Sequence, residues 1–137
     1  MVKRKRVPEL GPLELKILRI LWNEDALTAP QVLERYNNQS KTPLAYTTVM
    51  TLLGRLSEKG ALKVDRKRQP YRFSVLIPRE TVVSQRIRDF VNLFFEGQPL
   101  DLATRLVEEA PLSDEAVEKL ENILRERRTK VKGKQDL

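Results

Sequence analysis

Neither cysteine nor histidine occurs among the 137 residues. Without cysteine there is no disulfide framework and no thiolate metal site. Without histidine the chain also lacks the commonest general base and the commonest neutral metal ligand. Aromatic residues are few, at 6%. No window approaches the roughly 18 apolar residues of a membrane span. The opening Met1-Val2-Lys3-Arg4-Lys5-Arg6 is basic, but Val7-Pro8-Glu9-Leu10 follows instead of an apolar stretch, so it does not read as a secretory signal. Gly-rich phosphate loops, nucleophile motifs, metal-ligand spacings and convincing pairs of catalytic carboxylates are all missing. An enzyme is not expected, and neither is a cofactor or metal; a cytoplasmic binding protein is.

Charge is present in quantity and unevenly placed. Residues 1–78 carry 15 Lys and Arg against 7 Asp and Glu, residues 79–124 carry 5 against 10, and residues 125–137 carry 6 against 2. The formal +7 therefore understates how basic the N-terminal part is. Basic residues gathered in one half suit a phosphate-backbone binder.

Pro12 opens an apolar segment through Leu13, Ile17, Leu18, Ile20, Leu21 and Trp22, which predicts a first helix. Ala26-Leu27 is short enough for only a minimal strand. Thr28 is placed to cap a second helix, from Ala29 to about Tyr36. A third helix is expected from about Tyr46 to Glu58, with the stripe Val49, Leu52, Leu53 and Leu56 inward and Gly60 as its stop. Leu62 to Arg66 and Tyr71 to Leu76 alternate at period two and read as a hairpin. Three further helices are predicted, over about Arg79–Phe95, Leu100–Glu109 and from a Ser113 cap onward.

Three helices followed by a hairpin form the winged helix-turn-helix plan, in which the third helix enters the major groove and the hairpin touches flanking backbone. The expected class is mostly α with a small β-hairpin. Its divisions are a basic flexible arm at 1–9, a winged-helix DNA-binding domain at 10–78, a helical dimerisation domain at 79–128 and a disordered tail at 129–137. Removing the apolar stripe leaves Thr47, Met50, Thr51, Gly54 and Glu58 on the outer face of the third helix, with Tyr46, Thr48 and Arg55 at its flanks. Short hydroxyl side chains let a helix approach DNA, and threonine can meet phosphates, base edges or the thymine methyl. Thr47 and Thr48 could instead be N-terminal caps. The hairpin contributes Lys63, Arg66, Lys67, Arg68 and Arg72, with Asp65 its one acid. An interaction module that never reads DNA, or a sequence-independent architectural DNA binder, would use the same fold. The first would favour an apolar or acidic third helix; the second would leave the threonine face without a purpose.

The stretches Leu10-Gly11-Pro12-Leu13-Glu14-Leu15-Lys16-Ile17-Leu18, Leu21-Trp22 and Tyr46-Thr47-Thr48-Val49-Met50-Thr51-Leu52-Leu53-Gly54-Arg55-Leu56-Ser57-Glu58-Lys59-Gly60 resemble the penicillinase repressor family (BlaI/MecI type). Phe94-Phe95-Glu96-Gly97 and Leu112-Ser113-Asp114-Glu115 resemble its C-terminal part. The resemblance implies a transcriptional repressor that binds an inverted-repeat operator in double-stranded DNA as a homodimer. Dimerisation through Ile87, Phe90, Val91, Phe94, Leu106, Leu120 and Leu124 agrees with size, since roughly 50 residues bury such side chains poorly alone. Copper-responsive members carry a C-terminal cysteine motif, absent here. In antibiotic-responsive members an inducing protease cleaves an Asn-Phe bond; the matching position here is Arg105-Leu106, which differs at both residues.

Overall fold

The computed structural model describes residues 7–135. Its elements are α1 (Pro12–Trp22), β1 (Leu27–Thr28), α2 (Ala29–Gln39), α3 (Tyr46–Glu58), β2 (Leu62–Asp65), β3 (Arg72–Val75), α4 (Arg79–Phe94), α5 (Pro99–Glu109) and α6 (Asp114–Gln135). The three strands form an antiparallel sheet in the order β1-β3-β2. The chain is mostly helical, with an N-terminal winged helix-turn-helix and a C-terminal set of helices. It divides into two compact units, one ending at Arg88 and the other starting at Asp89.

In the first unit, α1, α2 and α3 each turn an apolar face inward. Ile17, Leu18, Leu21, Val32, Val49, Leu53 and Leu56 are fully buried. Pro12 and Pro30 sit in the first turns of α1 and α2, where a missing N–H costs no hydrogen bond. Thr28 and Gln31 close a reciprocal capping box at the head of α2. Gly60, at φ 79°, ends α3 in the left-handed conformation that a side chain disfavours. Ala61 N–H then reaches back to the Leu56 carbonyl, so α3 leads directly into β2.

This unit extends past Pro78. Val82 on α4 is buried in the same core, and the Arg86 guanidinium donates to the Leu10 carbonyl at 2.8 Å. The Trp22 indole N–H donates to the Ile77 carbonyl at 2.9 Å, pinning the chain as it leaves β3. A division at Pro78, expected from the break in strand pattern, omits these long-range ties. The expected flexible arm is likewise shortened: Val7 packs partly buried against the core and Leu10 belongs to it. Residues 1–6, including the basic Lys3 to Arg6, lie outside the described residues.

In the second unit the turn after α4 is held by the Val91 carbonyl, which accepts from both Phe95 N–H and Gly97 N–H. Phe90 stacks tilted against Phe94 at 4.8 Å between centroids. The Ser113 hydroxyl caps α6 by accepting from Ala116 N–H at 3.1 Å, and Asp114 and Glu115 follow in its first turn. The disordered tail expected at 129–137 is corrected here: α6 continues as a helix to Gln135. Arg, Lys and Glu are good helix formers and no proline interrupts them, so high charge does not stop this helix.

Candidate nucleic-acid interface

Two local devices set the position of α3. Ahead of it, the Asn37 side chain brackets Leu44, accepting from its N–H at 2.9 Å and donating to its carbonyl at 3.4 Å. The turn between α2 and α3 is therefore fixed by a side chain. Behind it, the Lys59 ammonium donates to both Glu14 carboxylate oxygens, at 2.9 and 2.8 Å, and to the Glu9 carbonyl at 2.8 Å. Glu14 is buried and the Lys59 side chain about a third exposed, so this pair ties the end of α3 to α1 with a charge-assisted, partly shielded bond. Sequence reading did not single out Asn37, Glu14 or Lys59 for this work. A signal existed for Glu14: it lies three and four residues before Ile17 and Leu18, on the face turned to the core.

On α3 itself, Tyr46, Thr47, Met50, Thr51, Gly54 and Arg55 are exposed and Thr48 is half-buried. The N-cap is Ala45, which makes no side-chain cap bond, so Thr47 and Thr48 are inside the helix and do not cap it. The Thr51 hydroxyl donates to the Thr47 carbonyl at 2.9 Å. Its proton is thereby occupied, leaving its lone pairs and methyl group facing outward. At Gly54 an added Cβ would meet nothing within 4 Å. Packing within the chain does not require that glycine. In mid-helix it costs about 0.5–1 kcal/mol relative to alanine.

In the hairpin, Lys63, Arg66, Lys67, Arg68 and Arg72 are all exposed, while Phe73 is buried and Val64 half-buried. Register pairs Asp65 with Arg72 and Lys63 with Ser74. The one acid, Asp65, accepts from the Lys67 N–H at 3.0 Å and so organises its own turn. The Arg66 guanidinium lies 5.9 Å from the centroid of the Tyr71 ring, which steadies it without neutralising it.

The residues expected at a dimer interface divide. Ile87, Phe90, Phe94, Leu106, Leu120 and Leu124 are exposed on the chain, but Val91 is buried within it and is not available on that surface. Arg105 and Leu106 lie within helical α5, with Arg105 paired to Glu109 at 2.7 Å. A protease taking extended substrate would need that helix to open first. Among the described residues no cluster suits a metal ion, and no helix is long and apolar enough to cross a membrane.

A three-stranded antiparallel sheet attached to three helices, with a basic hairpin after the third, is a winged helix-turn-helix. Residues 10–126 match the family model described as penicillinase repressor, and the chain belongs to that family. It is 23% identical to the penicillinase repressor of Bacillus licheniformis over 128 residues, 93% of this chain and 98% of the relative. It is 24% identical to the methicillin resistance regulatory protein MecI of Staphylococcus aureus (strain N315) over 116 residues, 85% of this chain and 93% of the relative. The fold is shared with the solved complex structure of hsRosR-S4, at TM-score 0.53 and 14% identity over 90% of this chain and 93% of that one.

Proposed function

We propose that this protein is a sequence-specific, DNA-binding transcriptional repressor that acts as a cytoplasmic homodimer on an inverted-repeat operator and catalyses no reaction. The observation that carries the reading is the outer face of α3. It combines exposed Tyr46, Thr47, Met50 and Thr51 with a glycine at position 54 that the fold does not need. An ordinary solvent-facing helix is rich in Glu and Lys. A face of small hydroxyls and a glycine allows the backbone close to base edges. Lys63, Arg66, Lys67, Arg68 and Arg72 supply phosphate contacts, which give affinity without sequence information. A relative named as a penicillinase repressor and another named as a methicillin resistance regulatory protein, matched over 93% and 85% of this chain, support the same role.

Dimerisation is supported by the apolar surface that one copy leaves open on α4, α5 and α6. No residue of α5 is buried. Release from the operator is assigned to an inducing signal acting on the second unit, with cleavage near Arg105-Leu106 as one route.

The decisive experiment is paired. Thr47→Ala, Thr48→Ala and Thr51→Ala are each titrated against the chain's own upstream DNA and against random DNA, and each is melted. Losing a base contact is expected to cost on the order of 1–3 kcal/mol on the operator and much less on random sequence. Melting should hold, because none of the three caps the helix. Normal discrimination in all three variants rules α3 out as the reading element.

A further inference from the structure

The last turns of α6 lie beyond residue 126, where the match to the family ends, and no part of the DNA-binding reading uses them. Over residues 114–121 the helix carries four acids, Asp114, Glu115, Glu118 and Glu121, and one lysine. Over residues 125–132 it carries five bases, Arg125, Arg127, Arg128, Lys130 and Lys132, and one acid. Through both halves runs one apolar row, Val117, Leu120, Leu124 and Val131, at spacings of three, four and seven residues. That is the row of a helix-pairing seam. The seam is open: Leu124 is 62% exposed and Val131 47%. Among residues 114–133 only Ala116 is even partly covered.

We propose that α6 pairs antiparallel with α6 of a second copy, the acidic half of each helix lying along the basic half of the other. The inference rests on the homodimer reading and adds the partner helix, its direction and the residues that fix it. With a two-fold axis near Leu124, Val117 faces Val131 of the second copy over a seam of about 21 Å. Glu118 and Glu121 then share one flank of the seam with Lys132 and Arg128 of that copy, at nearly matching heights, and symmetry repeats each pair. A parallel arrangement would set acids against acids and bases against bases. The Glu121–Arg125 pair within one chain, at 3.5 Å and largely exposed, is weak competition. A nucleic acid would also draw the basic half, but it would leave the acidic half and the apolar row of the same helix unused.

The test uses the full chain and two charge-reversed variants, Glu118→Lys/Glu121→Lys and Arg128→Glu/Lys132→Glu, followed by sedimentation at low and high salt. Each variant alone is expected to weaken the dimer about tenfold or more at low salt, because every reversal is felt twice. An equimolar mixture of the two should recover a tight heterodimer. The fourfold variant, with both halves exchanged, should recover a tight homodimer, and high salt should shrink all the differences. Far-UV circular dichroism checks that each chain is still helical, and the recovered dimers rule out misfolding. Variants that dimerise as tightly as the parent, or a fourfold variant as weak as the double ones, overturn the pairing while leaving the homodimer intact. Loss of DNA affinity in Arg128→Glu/Lys132→Glu with dimerisation unchanged overturns it in favour of a nucleic-acid contact. A parent chain that stays monomeric removes the homodimer reading, and the pairing with it.

Discussion

Residues 7–88 and residues 89–135 are built from similar raw material and end in opposite states. Both are mainly helical and both carry regular apolar rows. The first unit closes its rows on one another, with α1, α2, α3, the sheet and the start of α4 sharing one core. The second leaves Leu93, Phe94, Leu100, Leu106, Ile123 and Leu124 on the surface and buries Val91. The sheet and the hairpin turn make the difference, because they bring distant segments back over the helices. The helices of the second unit, within fewer than about 50 residues and without such a return, leave much of their apolar surface uncovered. The first unit is therefore expected to be stable alone and the second to depend on a partner.

The largest effect should follow from breaking the closed core. Leu53→Ala removes a fully buried side chain and is expected to cost about 2–5 kcal/mol, independent of protein concentration. Phe94→Ala, by contrast, removes an exposed ring, and its cost should grow on dilution from the dimeric range. Thermal melts of both variants across a hundredfold dilution check the contrast; a concentration-independent loss for Phe94→Ala would mean that the second unit is stable alone.

Truncation sharpens the boundary. A fragment ending at Arg88 should fold as a monomer and bind operator far more weakly than the full chain. One ending at Pro78 also loses the burial of Val82 and the Arg86 bond to Leu10, and should be less stable by about 1.5–3 kcal/mol. Equal urea midpoints for the two fragments would move the boundary back to Pro78.

Within the first unit, affinity and specificity should separate. Replacing Arg66, Lys67 and Arg68 with alanine is expected to weaken every DNA site alike and to flatten the salt dependence by roughly one unit per lost phosphate contact. A changed base preference would make the hairpin a reader. The smallest effect on folding, and the most telling in sign, concerns Gly54. Gly54→Ala should raise stability by about 0.5–1 kcal/mol while weakening operator binding. If it stabilises the chain and leaves binding intact, no DNA backbone or base edge comes close at that position.

Periodicity alone locates α1 to α5, the start of α6 and the hairpin within a few residues, because helix and strand rows differ in local spacing. The α3 face was equally legible: once Val49, Leu52, Leu53 and Leu56 are given to the core, the remainder must point outward. Charge density over 129–137 reads as disorder, but helix propensity governs there and α6 runs to Gln135. The sequence groups Val91 with Phe90 and Phe94 on the open face, but one residue's turn along α4 takes it to the buried side.

The sequence by itself determined the class of fold, the basic character of the first half and which helix faces are apolar, all of which depend on residues close together in the chain. Only the tertiary structure decided what holds the candidate reading helix in place. The bonds from Lys59 to Glu14 and Glu9, from Trp22 to Ile77 and from Arg86 to Leu10 join segments 45 to 76 residues apart. No local pattern encodes such a bond, because its partners meet only after the helices have packed.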